Sequence, residues 1–396
     1  MGSEPNGPIR VLQLIESLGQ GGEQRQMVTL VNAFDRRVVA PEVAVYHPLD
    51  HFRPELERSH TPIHVLGVRG GRDPRVAVRL ARLLRDRRYD VVHTRLKTPG
   101  VLGRVATSIG PRPRVVLSEG GIDLGRVRWR LVLERLLAGR ADAMIVNASA
   151  IQRHVEDLVP GLRGRVRLVP NGIDWVSPRE DDLKAAADFR RRQLGDRANV
   201  LLASVARLEA PKDPHLVLDA LGRLDPEALS RIRLVWIGSQ NDPALLSSVE
   251  ARARREGLSG RVAFLPPTRR IRPVYLGIDA LVMSSKSEGL PNAVLEAMAD
   301  GVPVVATNVG DVDALVEHGV SGWLVPPGGA DVLAATIGRL VNATPDERRR
   351  VGEAGARVVR EGYSARKLAD RTLAVYREVL GIADGEPGEC STGGVT

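Results

Sequence analysis

Short apolar runs alternate with stretches of helical spacing along almost the whole chain, and this alternation limits the fold more than any other feature. "IRVLQLI" (9–15), "PEVAVYH" (41–47), "PIHVLGV" (62–68), "YDVVHTR" (89–95), "PRVVLSE" (113–119) and "ADAMIVNA" (141–148) read as strands. Between them lie segments such as "GEQRQMVTLVNAF" and "DPRVAVRLARLLRDRR", with apolar residues at helical spacing. Val/Ile-rich strands separated by helices make a parallel sheet covered on both faces. After "RVRLVPNGIDW" (165–175) comes a polar, charged stretch. The pattern then restarts with "NVLLASVARL" (199–208), "IRLVWIG" (232–238), "VAFLPP" (262–267), "IDALVMSS" (278–285), "VPVVATN" (302–308) and "GWLVPP" (322–327). The reading is α/β, with two doubly wound Rossmann-like domains at 1–175 and 190–365 and a boundary near 172–195. A last helix over 366–383 follows the second domain, and 384–396 reads as a disordered tail. A chain of 396 residues suits two cores, since one core rarely grows beyond ~250–300 residues. Ligands of such sheets bind beyond the carboxyl ends of the strands, so the natural site is the cleft between the domains.

The single cysteine, Cys390, sits in the polar tail, which excludes an intrachain disulfide framework and fits a reducing compartment. No signal pattern opens the chain and no apolar run reaches ~18 residues, so the expected location is cytoplasmic. The formal charge of +9 suits an anionic partner: nucleic acid, an anionic membrane surface or a phosphorylated small molecule. Aromatic residues are 3%, few platforms for stacking bases, and no nucleic-acid partner is expected.

The stretch "SSKSEGLPNAVLEAMADGVPVVATN" (284–308) carries the chemistry. A strand ends at Ser285, a polar loop follows, and a helix is expected with Pro291 at its first position, where a missing N–H costs nothing. Gly301 ends that helix and Val302 opens the next strand. The free N–H groups at the helix start attract an anion, and Gly289 lets a phosphate approach the backbone. Glu288 and Glu296 would repel a phosphate, so they need another task. Ionised carboxylates accept hydrogen bonds, and a vicinal diol offers two donors. One glutamate can hold a ribose and the other a sugar ring, with the diphosphate between. "ARLEAPKDP" (206–214) supplies the offsetting cations, Arg207 and Lys212, just after a strand.

"SEGLPNAVLEAMADGVPVVATNVG" resembles the signature of the family 4 retaining glycosyltransferases, which have the GT-B fold of two facing Rossmann-like domains. Glu288 and Glu296 match its pair of glutamates separated by seven residues, and "VARLEAPKD" resembles the strand-loop carrying its diphosphate-binding Arg and Lys. "LVPNGID" (168–174) resembles the interdomain segment, and "LGQGGEQRQMVTLV" (18–31) the first Gly-rich loop, with Gly21 and Gly22 near the donor phosphates. "HGVSGWLVPPGGADVLAATI" resembles the C-terminal turn and strand, and the likeness runs over roughly 9–380. It implies Glu288 by the donor sugar, Glu296 on the ribose, and backbone amides of Gly289 and Leu290 on phosphate or sugar. It implies front-face substitution with retention, the leaving diphosphate helping to remove the acceptor proton. No cofactor is called for, because the nucleotide-sugar is a substrate. No metal is needed if Arg207 and Lys212 carry the charge.

The sequence departs from that family in three places. Ser118 and Glu119 stand where a histidine often contacts the donor sugar, which leaves Glu119 and His93 as secondary candidates for sugar or acceptor contact. Arg95 replaces a second histidine, and Asp311 stands where a glycine is frequent. Asp311 and Asp313 spell Asp-x-Asp, a metal clamp of the other glycosyltransferase fold, but Asp313 better explains a helix start before "ALVEHG".

A basic segment, 125–140, places Val127, Leu131, Val132, Leu136 and Leu137 at roughly helical spacing. It reads either as a helix packing its apolar face on the sheet or as one lying on anionic lipid, peripheral at the inner membrane face. The expected activity is transfer from a nucleotide-sugar, a UDP-sugar in most such families, to a hydroxyl of a lipid-linked saccharide or other glycan. The product would be cell-surface polysaccharide. Alternatives are a small-molecule glycoside acceptor, a UDP-sugar 2-epimerase on the same fold, a glycosidase using the two glutamates, and a non-catalytic nucleic-acid or membrane binder.

Overall fold

The structure, a computed structural model, describes residues 7–67, 73, 75–121, 128–195 and 198–382. The tail 384–396 with Cys390, and residues 125–127 of the basic segment, lie outside the described residues. The first sheet has seven strands: β1 (Ile9–Ile15), β2 (Val39–Val45), β3 (Ile63–Val65), β4 (Val91–Arg95), β5 (Arg114–Glu119), β6 (Ala143–Val146) and β7 (Val166–Leu168). The second has six: β8 (Val200–Val205), β9 (Ile232–Ile237), β10 (Val262–Leu265), β11 (Ala280–Met283), β12 (Val304–Thr307) and β13 (Trp323–Val325). Their orders are β3-β2-β1-β4-β5-β6-β7 and β10-β9-β8-β11-β12-β13, and every pair is parallel.

This is the expected pair of doubly wound domains. Period-two alternation explains the layers. In β8, Val200 and Leu202 enter the core on one face while Leu201 and Ala203 enter the core on the other. Both faces are buried, so the strand reads as one continuous apolar run. Strand order reverses between β1 and β4 and between β8 and β11. The crevice for a ligand opens at such a reversal, beyond the carboxyl ends of the strands.

The polar stretch between the domains is not a loop. Glu180–Leu194 is a helix, opened by the Asp182 carboxylate accepting from the Arg179 N–H at 3.3 Å. It packs on the helix Arg272–Gly277: a Cβ on Gly277 would lie 2.9 Å from the Ala186 carbonyl oxygen. The helix Ala365–Leu380 follows the second domain in sequence but seats its apolar face on the first. Leu368, Val375 and Tyr376 share a core with Val11, Val91 and Val116. Two crossing segments make this return possible, with the Ile173 N–H donating to Tyr363 O (2.8 Å) and the Ala365 N–H to Ile173 O (2.9 Å).

Three local expectations need correction. The helix after the glutamate loop is Asn292–Ala299, and Pro291, with ψ of 122°, is the extended residue just before it. Proline's fixed φ suits either place. Asp313 opens no α-helix; it lies in a single 3₁₀ turn, Val312–Ala314, that Asp311 precedes. In the basic segment the helix spans Arg128–Leu137, and its apolar residues do not all face the sheet. Leu131 packs inward, while Val132 and Leu136 are exposed.

Candidate active site

The loops after β8 and β11 flank the reversal in the second sheet, and hydrogen bonds stitch them together. The Lys286 N–H donates to Pro211 O (2.8 Å) and the Ser284 hydroxyl to Lys212 O (2.8 Å). Lys286 Nζ lies 3.2 Å from Asp213 Oδ2. From the β12 side the Thr307 hydroxyl donates to Ser285 O (2.7 Å) and the Asp311 N–H to Gly289 O (3.1 Å). Gly310 closes this side at φ +62°, where a Cβ would lie 2.3 Å from Gly289 O. Glycine is required there for both its backbone angle and its lack of a side chain.

Each of the two glutamates is held through one carboxylate oxygen. Glu288 Oε1 accepts from Lys212 Nζ and from the Ser285 hydroxyl, each at 2.6 Å. Glu296 Oε2 accepts from the Tyr275 hydroxyl at 2.8 Å. In each carboxylate the second oxygen has no partner among the described residues. Nor does any acceptor among the described residues take the N–H of Gly289 or Leu290, just ahead of the helix start. Free amides at a helix start and a nearby lysine favour an anion. Arg207 is placed differently: it lies in the loop just after β8, exposed, and pairs with Glu209 at 2.7 Å. An exposed pair of this kind is worth ~0–1 kcal/mol, so it holds the guanidinium weakly.

The first domain closes on this loop. Gly22 O accepts from Asn292 Nδ2 at 3.2 Å, and Gly21 precedes the helix Gly22–Ala33. Asn292 Oδ1 accepts from Gln26 (3.0 Å) and Asn171 (2.9 Å), and Asn171 also donates to Leu290 O (2.9 Å). Asp311 reaches across to Ser149, accepting from its N–H (2.7 Å) and its hydroxyl (2.8 Å). Both carboxylate oxygens of Asp311 are therefore used at the seam. No group of three or more His, Cys, Asp or Glu among the described residues is arranged to hold a metal. Sequence reasoning missed Gln26, Asn171 and Asn292; a buried glutamine inside an apolar helical stripe was the one available signal.

One cavity opens along the seam, and a second is lined by the first domain and the C-terminal helix. The first, about 230 Å³, is lined by Glu296, Tyr275, Arg25, Asn32, Trp175 and Asp300 among others. The second, water-sized at about 20 Å³, is lined by Glu23, Arg95, Ser118, Glu119, Asn147 and Asn171 among others. Arg95 Nε and Asn147 Oδ1 have no partner there among the described residues. Burial pushes the Glu119 carboxyl up to about 8, against the pull of Lys97, so at neutral pH it is largely protonated and can donate a hydrogen bond. His93 does not join it. Its ring is fully buried inside the sheet, with Nδ1 2.6 Å from the Tyr376 hydroxyl and Nε2 2.7 Å from Ser118 Oγ. Burial and Arg95 hold its pKa well below the usual histidine value. His93 anchors the C-terminal helix to the first sheet, with both ring nitrogens engaged there.

Residues 187–358 match the model of "Glycosyl transferases group 1", and residues 20–175 that of "Glycosyltransferase Family 4". The D-inositol 3-phosphate glycosyltransferase of Nocardia farcinica is 30% identical over 320 residues, covering 74% of this chain and 67% of that one. The chain belongs to glycosyltransferase family 4. The protein of the same name from Segniliparus rotundus is 32% identical over 295 residues, covering 73% of this chain and 63%, under two thirds, of that relative. Among solved structures, Anabaena Alr3699/HepE in complex with UDP and glucose aligns with a TM-score of 0.80 at 22% identity, over 93% of this chain and 100% of that one. That likeness makes the fold GT-B. In this family 4 chain Gly289, next in sequence to the glutamate of the Lys212–Glu288 pair, faces Asn147 and Gly120 of the first domain.

Proposed function

We propose that this chain is a retaining glycosyltransferase that moves a sugar from a nucleotide-sugar, a UDP-sugar foremost, to a hydroxyl acceptor. One observation carries the reading: at the β8/β11 reversal, Lys212 is held against Glu288, the N–H groups of Gly289 and Leu290 have no acceptor among the described residues, and Glu288 keeps one oxygen open. Lys212 and the amides bind the diphosphate and stabilise the charge that grows on it as the glycosidic bond breaks. Arg207, freed from Glu209, adds a second cation. The open oxygen of Glu288 accepts from a donor-sugar hydroxyl, and that of Glu296 from the ribose. The departing diphosphate takes the acceptor's proton, so the new bond forms on the face the leaving group vacates. The acceptor in this reading is a lipid-linked saccharide of a cell-surface polysaccharide. The names of the curated relatives favour a second one, a small phosphorylated polyol.

A panel of nucleotide-sugars tested by thermal shift identifies the donor, since a ligand far above its Kd adds a few kcal/mol of stability. Proton NMR of the product then reads the anomeric configuration, with retention expected. Inversion would contradict the mechanism. Donor isomerised without acceptor or UDP release would mark the 2-epimerase instead. Extraction into organic solvent separates a lipid-linked product from a polyol glycoside.

The ribose contact has a pH signature. Burial raises the pKa of Glu296, while the Tyr275 hydrogen bond and Arg25 pull it back. A carboxylate accepts from both ribose hydroxyls, whereas a carboxylic acid accepts less well. UDP affinity is thus expected to fall as pH drops through the raised pKa. Tyr275→Phe removes a lowering influence and should move that fall to higher pH, read by UDP titrations from acid to neutral. An unmoved profile would remove Glu296 from the ribose.

A further inference from the structure

The helix Ser149–Leu158 has no cap of its own. Ala148 stands before it, and its side chain accepts nothing from the free N–H groups of the first turn. The carboxylate that does so comes from the second domain. Asp311 Oδ2 accepts from the Ser149 N–H at 2.7 Å and Oδ1 from the Ser149 hydroxyl at 2.8 Å. An aspartate just ahead of a helical turn ordinarily caps that turn. Asp311 instead leaves its own turn, Val312–Ala314, without a side-chain cap. Its carboxylate is spent across the seam, where the positive end of the first-domain helix favours it. The main chain of Asp311 is bound just as closely to the glutamate loop. Its N–H donates to Gly289 O at 3.1 Å, and a Cβ on the neighbouring Gly310 would lie 2.4 Å from Glu288 O. Asn147 and Ile151, two residues to either side of Ser149, are the side chains that a Cβ on Gly289 would meet. The other bonds of this loop across the seam, from Asn292 to Gly22 and Gln26, join neutral groups. A charge-assisted bond is roughly twice as strong as a neutral one.

We propose that Asp311 is a positioning residue for the transfer: a helix cap lent by the second domain that holds the first-domain wall against the donor loop. Asp311 touches no reacting atom. It acts through Gly289, to which its main chain is tied, and through the segment of Asn147, Ser149 and Ile151, to which its side chain is tied. When the domains part, the carboxylate and the helix start both turn to water, so the clasp exists only while the seam is closed. Its effect on turnover rests on the transferase reading; its hold on the two domains does not.

Asp311→Ala, Asp311→Asn and Ser149→Ala, each in the full chain, test it. Three readouts are needed: UDP release from the nucleotide-sugar that stabilises the chain most in the thermal-shift panel, UDP titration, and small-angle X-ray scattering in UDP. Asp311→Ala loses both bonds, and its kcat is expected to fall roughly tenfold, the scale of one charge-assisted hydrogen bond. UDP affinity should stay near the parent's, because Lys212 and the amides of Gly289 and Leu290 remain. The radius of gyration should exceed the parent's as the seam opens. Asparagine can still accept from the N–H and donate to the hydroxyl oxygen, so Asp311→Asn should recover part of the lost kcat. Ser149→Ala keeps the N–H and should cost less than Asp311→Ala. Combining the two should add little to Asp311→Ala alone, since both remove one contact. Parent-like kcat in Asp311→Ala, a loss that merely tracks melting temperature, additive losses in the double variant, or scattering that coincides with the parent's would overturn the proposal. No UDP release by the parent, with Asp311→Ala still the more open chain, would leave the clasp standing and sink the transferase reading alone.

Discussion

Glu288→Gln is expected to lower kcat by about 10²–10³-fold while UDP still binds. The scale is that of removing one preorganised polar group from a transition-state site. Glutamine keeps the shape, and its carbonyl oxygen can still accept from Lys212 and Ser285, now 2.6 Å from the carboxylate. What it loses is the charge facing the donor sugar as positive character builds on the anomeric carbon. The melting temperature should hardly move, and UDP affinity should hold or rise, because a negative charge leaves the neighbourhood of the diphosphate. Lys212→Ala should differ in kind. It removes a cation and leaves the Glu288 carboxylate, 13% exposed in its side chain, beside the phosphates. Both donor affinity and kcat should drop. Steady-state kinetics with UDP titrations separates the two variants. Equal losses in KM and kcat for both would show that the pair only holds the loop together.

Gly289→Ala is expected to cost about 100-fold in kcat/KM with the second domain still folded and still binding UDP. A Cβ there would lie 2.6 Å from Asn147 Oδ1, 2.8 Å from Ile151 Cδ1 and 3.2 Å from Gly120 O. All three belong to the first domain. The Asn147 and Ile151 atoms are side-chain ends, but Ile151 is fully buried with little room to turn, and the Gly120 atom is backbone. The seam is therefore expected to widen, and a misplacement of about 1 Å can cost ~10²-fold in rate. The free amides at 289 and 290 stay in place, so UDP binding is spared. Kinetics and calorimetry on one preparation check this. Wild-type kcat/KM would mean that the closed seam is not the reacting geometry.

The sequence revealed the parts of the site that follow from topology. Strand–helix alternation fixes two doubly wound sheets, and such sheets bring the loop with Lys212 beside the loop with Glu288. Contacts chosen by side chains at long range stayed hidden. Nothing local says that Gln26 meets Asn292 across 266 residues, or that Asp311 accepts from Ser149. The amphipathic stripe of 365–380 signals a buried face but not which domain buries it; Tyr376 reaching His93 decides that. The stripe of 128–137 has the same period whether it faces core or solvent. Its orientation depends on Glu134 finding Arg104 on the preceding helix. Arg207 shows the converse: the sequence marks the residue, while its side chain, in the structure, turns to Glu209.

In this mechanism the second domain grips a diphosphate at the β8/β11 reversal. Calorimetric titration of uridine, UMP and UDP into the parent chain and into Lys212→Ala tests it most directly. Affinity is expected to climb from uridine to UMP to UDP in the parent, and most of the last step to vanish in the variant. Uridine binding as tightly as UDP, or a Lys212→Ala profile that matches the parent's, would contradict it.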